Sequence, residues 1–217
     1  MTTFQPPRDW DAAYADADGY FFGEEPSQIC RSAVSFFRDF GGDPATALAL
    51  DLGSGEGRDT AFLAGRGFGV TARDLSQVGL DKTRVLLDRQ GISAGRVDLA
   101  RQDVRDFPYP DEAYDLALAV NVYQFLPPGE VPSHIQRLQG ATKPGGICAV
   151  GVFSPAMSGW GAEIDGHFTA TADELLAYFP PNAGWLLLDR TDYWIYRMER
   201  EALGSFAYVV ARKQPVP

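Results

Sequence analysis

The chain has 217 residues, 45% of them hydrophobic, with 29 acidic against 19 basic side chains and a formal net charge of −10. That length suffices for the core of one α/β domain, and the negative field opposes nucleic acid and anionic membrane surfaces as partners. No apolar run approaches the roughly 18 residues of a membrane span, "MTTFQPPRDWD" lacks the pattern of a secretory leader, and Cys30 and Cys148 form no CxxC pair, so a cytoplasmic protein with free thiols is expected.

In chain order, the first 25 residues hold Trp10, Tyr14, Tyr20, Phe21 and Phe22, an aromatic density that suits a segment closing over a ligand. "PSQICRSAVSFFRDFGG" predicts a helix capped by Ser27 and stopped at Gly41-Gly42. Strand and helix then alternate. "ALALDLG" predicts a buried strand, "RDTAFLAGRG" a helix, "FGVTARD" a strand and "QVGLDKTRVLLDRQG" a helix. "RVDLARQD" and "YDLALAVNV" predict strands, "EVPSHIQRLQGAT" a helix and "GGICAVGVF" a strand. "TADELLAYFP" carries a capping box, Thr171 to Glu174, and "WLLLDRTDYW" and "GSFAYVVARK" predict two final strands. No repeat or low-complexity segment interrupts the series. The alternation predicts an α/β, doubly wound, Rossmann-like sheet of seven mostly parallel strands with helices on both faces. The last two strands have no helix between them, so one of them should run antiparallel in the edge region.

In such sheets ligands sit at the carboxyl ends of the strands. Gly53, Gly55 and Gly57 follow the first strand there and permit a tight turn with close approach to the backbone. A dinucleotide fingerprint would need a small residue where Arg58 stands, and a phosphate loop would end in GK[ST], which is missing. Charge decides between the remaining ligands. Asp51 and Glu56 flank the turn and suit a ligand with positive groups. Asp74 ends the second strand, where an acid accepts from two ribose hydroxyls. Asp103 ends the third, placed for an adenine amino group. Together they describe an adenosine with a cationic tail and no phosphate, namely S-adenosyl-L-methionine.

The motifs "LDLGSGEGRDT", "VTARDLS", "RQDVRDFP", "YDLALAVNVYQFL" and "TKPGGICAVGVF" occur in the order found in class I S-adenosylmethionine-dependent methyltransferases, and the chain resembles that family from about residue 46 to residue 153. "FTATADELLAYF" followed by "SFAYVVARK", with "GFGVTARDLS" and "FLPPGEVPSHI", resembles the tellurite-resistance methyltransferases, and "YFFGEEPS" resembles the opening of related bacterial small-molecule methyltransferases. The resemblance implies one methyltransferase domain over residues 1–217: an N-terminal helical lid (1–45), a cofactor-binding core (46–153) and an acceptor-side region (154–217). It implies cofactor contacts at Asp51, Gly53, Ser54, Gly55, Glu56, Gly57, Asp74, Leu75, Asp103, Val104, Asn121 and Val122. The tellurite family carries a His and Arg pair between its last two strands. Here "DYWIYRMEREALGSF" has Arg197 and Arg200 but no His, with Tyr193 or Trp194 near its place, which weighs against tellurite as acceptor.

On the acceptor side, Asn121 ends the fourth strand without the Pro-Pro-Tyr of amide and nucleobase methylators. His167 and Trp160 lie in the loop after the fifth strand, and Tyr20 in the aromatic opening. His167, Arg197 and Tyr20 are the candidate catalytic residues. His134 falls within a helix and is read as structural. Because His167 reads as a loop histidine rather than a base, the expected acceptor has already lost its proton, and Arg197 would hold that anion in line. No His/Cys/Asp cluster has metal-ligand spacing. The expected protein transfers methyl groups to a small molecule. A chalcogen-oxyanion or thiol methyltransferase and a non-catalytic sensor of the cofactor are the alternatives.

Overall fold

The computed structural model describes residues 9–16, 19–155, 167–196 and 202–215. Among these, seven strands form one sheet: β1 (Leu48–Leu52), β2 (Gly69–Asp74), β3 (Val97–Arg101), β4 (Tyr114–Val120), β5 (Thr142–Phe153), β6 (Trp185–Tyr196) and β7 (Ala202–Lys213). Their order is β3-β2-β1-β4-β5-β7-β6. Strands β1 to β5 pair in parallel, and β7 runs antiparallel to both β5 and β6. The order reverses beside β1, between β1 and β4, which opens a crevice at the carboxyl ends.

The antiparallel strand sits one place in from the edge. The reason is burial: Phe206 through Ala211 are buried, whereas β6 leaves Leu186 and Leu187 partly exposed. The strand covered on both faces takes the interior place, and β6 becomes the edge. Strand β5 starts earlier than its pattern predicts, at Thr142, with an irregular register against β4 between Tyr114 and Leu116. Gly145, at φ 83°, lies in that irregular stretch.

Helices α2 (Gln28–Asp39), α3 (Arg58–Gly65) and α4 (Gln77–Arg89) cover one face, packing Ile29, Val34, Leu63 and Leu86 against Leu116, Leu118 and Val210. Helix α5 (Val131–Ala141) and the short α6 (Ala172–Leu176) cover the other, with Ile135, Leu138 and Leu175 against Ala117, Val150 and Val209. Alternate strand residues thus feed opposite cores, as the period of two requires. The caps are those the sequence indicates. Ser27 Oγ accepts from the Cys30 N–H at 3.1 Å, and the Thr171–Glu174 box closes reciprocally. Helix α1 (Trp10–Ala13), which the sequence pattern does not single out, is capped by Asp9.

Candidate active site

Strand β1 delivers the chain into the glycine turn. The N–H groups of Gly53 and Ser54 both donate to the Arg73 carbonyl, at 2.8 and 3.1 Å, which ties the turn to the end of β2. Gly53 has φ 75°, and a Cβ there would meet Val122 at 2.5 Å. Gly55 has φ 56° and lies under the Tyr14 hydroxyl. Both positions therefore need glycine for conformation and for space.

The acids are held by named donors. Asp51 is buried and accepts from Thr60 Oγ1 at 2.6 Å. Burial, with Asp59 close by, pushes its carboxyl up to about 7. Asp59 itself accepts from the N–H and hydroxyl of Ser27, at 2.6 and 2.8 Å. Asp74 receives the N–H groups of Gly55 and Ser76, both at 2.8 Å, and burial raises its pKa. Each of its oxygens retains a lone pair for a further donor. Asp103 caps the turn Val104–Asp106, two residues beyond the end of β3, and its pairing with Arg105 at 2.6 Å holds it below the usual carboxylate range.

These groups open onto one cavity of about 640 Å³. Asp51, Gly53, Ser54, Gly55 and Glu56 line one end, and Asp74, Leu75, Asp103 and Val104 line another. Asn121, Val122, Phe125, Leu126, Pro127 and His167 form the third. Trp10, Tyr14 and Phe22 roof it, which places the aromatic opening against the cavity. Ser54 Oγ and both amide atoms of Asn121 are buried with no hydrogen-bond partner among the described residues, and Asn121 has φ 55°, unusual for a non-glycine residue. The cavity is large enough for a cofactor-sized molecule.

Three of the expected site residues have other partners in the structure. Gly57 does not line the cavity. It starts α3 at φ 85°, and a Cβ there would strike the Thr83 side chain. Glu56 lines the cavity, but its carboxylate is already engaged. It pairs with Lys82 Nζ and accepts the Phe21 N–H at 2.6 Å. Lys82 also donates to the carbonyls of Tyr14, Asp16 and Gly19, so this ion pair fastens the N-terminal segment over the turn. Tyr20 does not line the cavity either. Its ring lies 4.7 Å from Lys82 Nζ and faces the Arg89 guanidinium. Arg197, Arg200 and Trp160 fall outside the described residues, as do the side chains of Tyr193 and Trp194.

His167 lines the cavity, its Nδ1 2.9 Å from the Gln124 carbonyl. His134 is buried against Tyr109 and Tyr123, with Nδ1 3.1 Å from the Tyr109 hydroxyl, and burial lowers its pKa. Sequence reasoning missed several lining residues, Arg58 and Phe125 among them. Arg58 had counted only against a dinucleotide. Its position directly after the glycine turn was the available signal.

Residues 49–146 match the family model described as a methyltransferase domain. The match takes in somewhat under half of the chain and makes that part similar to methyltransferase domains. A stretch of 146 residues is 31% identical to hemagglutinin 1 of Eikenella corrodens, covering 66% of this chain and 45% of that one. Another, of 106 residues, is 35% identical to trans-aconitate 2-methyltransferase of Methylobacterium radiotolerans, covering 49% of this chain and 38% of that one. The chain thus spans less than half the length of these curated relatives. In fold it resembles TehB from Haemophilus influenzae, with a TM-score of 0.65 at 20% identity over 94% of this chain and 66% of that one. The groups present would fit S-adenosylmethionine: buried acids suit an ammonium, Asp74 keeps lone pairs that ribose hydroxyls could use, and the buried Ser54 hydroxyl at the glycine turn has no partner among the described residues. Among the described residues no helix is long and apolar enough to cross a membrane.

Proposed function

We propose that this chain transfers a methyl group from S-adenosylmethionine to a small-molecule acceptor. The observation that carries this reading is the convergence on one cavity of the glycine turn, the acids Asp51, Asp74 and Asp103, and an aromatic roof. When bound, the cofactor supplies an electrophilic methyl group on a sulfonium. Asp51 would neutralise the ammonium of its tail, and Arg58, which lines the same end, would hold the carboxylate. Asp74 would receive the ribose hydroxyls. Asp103 and Val104 would flank the adenine. Trp10, Tyr14 and Phe22 would exclude water, and holding the reactants in line can supply about 7–11 kcal/mol of the barrier lowering.

The test is calorimetric titration with S-adenosylmethionine, S-adenosylhomocysteine and NAD, followed by a mass-shift screen of small acceptors. Binding of the first two without NAD, and a product heavier by one methylene, supports the reading. Tight NAD binding with no response to S-adenosylmethionine defeats it. Binding without any methylated product would leave the sensor alternative standing. A tellurite-type acceptor has less support: of the described cations lining the cavity, Arg105 pairs with the Asp103 carboxylate and Arg58 is given above to the cofactor carboxylate.

A further inference from the structure

The Gln124 carbonyl has no proton to give, so the His167 Nδ1 lying 2.9 Å away must be the donor. In the neutral imidazole the other nitrogen, Nε2, then carries the lone pair. His167 lines the cavity, and its ring stands edge-on to Phe125 with centroids 6.0 Å apart. Phe125 packs in turn against Trp10 at 4.9 Å, and both rings also line the cavity. Leu126 and Pro127 complete an apolar surround. The acceptor end thus combines an aromatic wall with an oriented histidine.

We propose that His167 is the general base of the reaction and that the acceptor is a planar aromatic molecule methylated on a hydroxyl of phenol type. This rests on the methyl-transfer reading above. The acceptor class follows from what needs a base. Carboxylates and oxyanions arrive ionised, whereas thiols, ammonium groups and phenol-type hydroxyls must each shed a proton, and of these the aromatic wall fits the phenol. A phenol-type hydroxyl, with a pKa of about 10, keeps its proton at neutral pH yet is within reach of an imidazole. In the step, the O–H bond breaks, its proton passes to Nε2 and its electron pair remains on oxygen. The oxygen forms the new bond to the methyl carbon while the S–C pair stays with sulfur as a thioether. The imidazolium then returns its proton to water. The sequence reading favours an acceptor already free of its proton; against it the proposal sets the Nε2 lone pair that the Gln124 hydrogen bond leaves free.

The chain has two histidines, His134 and His167, so each can be assigned by substitution. Long-range ¹H–¹⁵N correlation on the full-length protein labelled at histidine, without cofactor, should show His167 as the Nδ1–H tautomer. An Nε2–H tautomer overturns the proposal. The same sample, with S-adenosylhomocysteine bound, is titrated with phenol and with 4-nitrophenol. Shifts at His167 are expected, and silence towards both overturns the acceptor class. Absence of S-adenosylhomocysteine binding would instead be a failure of the underlying reading. In turnover, His167→Gln should lower transfer to phenol by about 100-fold or more. It should lower transfer to 4-nitrophenol, about half of which is already ionised at neutrality, far less. Equal losses on both acceptors would make His167 structural and sink the proposal.

Discussion

At the scale of single residues, the carboxylates separate by what their neighbours leave them. Asp74 holds the N–H groups of Gly55 and Ser76 and keeps spare lone pairs. Asp74→Ala should weaken cofactor binding by about 1.5–3 kcal/mol, roughly 10- to 150-fold, as expected for hydrogen bonds to a charged group. Calorimetry checks it, and unchanged affinity would remove Asp74 from the ribose site. Asp51 makes a second prediction. Its carboxyl is pushed up to about 7 by burial and by Asp59, against an unfolded value of about 3.9. Between those values the folded state holds a proton that the unfolded state has lost, so this group makes stability fall as pH rises through the window. A bound ammonium favours the ionised form, so cofactor binding near pH 6 should release a proton, and affinity should climb towards pH 8. Titration in buffers of different ionisation enthalpy measures the release, and Asp51→Asn should abolish it. The place of Asp51 and Asp74 beside the glycine turn was legible from order along the chain. That Glu56 is occupied was not, because its partner Lys82 lies a helix away in sequence.

Among the elements, the N-terminal segment depends most on one contact. Lys82 and Glu56 form a nearly buried ion pair, their side chains 13% and 6% exposed, and Lys82 gathers three carbonyls of the segment besides. Removing one member of a buried pair strands the other charge, which typically destabilises by about 3–5 kcal/mol. Lys82→Met should therefore lower stability in urea by about that amount, and adding Glu56→Gln should recover part of it. Full additivity of the two substitutions would show that the pair is not coupled. Deleting residues 1–22 should leave cofactor binding measurable but damage turnover, since the deletion takes away Trp10 and Tyr14 from the cavity roof. Full activity after the deletion would reduce the segment to packing.

Over the whole molecule, the net charge of −10 acts on the cofactor before any contact forms. S-adenosylmethionine carries one net positive charge at neutral pH, whereas its demethylated product carries none. Steering by the field should make association of the first fall with ionic strength and leave the second nearly unaffected. Stopped-flow association at low and high salt measures both. Equal salt dependence would mean that the acids lining the cavity act only at contact.

The sequence by itself determined the alternation of strands and helices, the two-faced cover of the sheet, the caps at Ser27 and Thr171, and the glycine turn with its acids. These features are written in periods of two and 3.6 residues and in short capping motifs, all set by local geometry. The tertiary structure alone decided that β7 lies inside β6, because that choice follows from how much of each strand the neighbouring helices bury. It alone gave Glu56 to Lys82, turned Tyr20 away from the cavity towards two cations, and set His167 against the Gln124 carbonyl. Each of those outcomes is a hydrogen bond, ion pair or ring contact between residues far apart along the chain. Such pairings have no local signature, and they decide which polar groups are spent within the protein and which remain for a ligand.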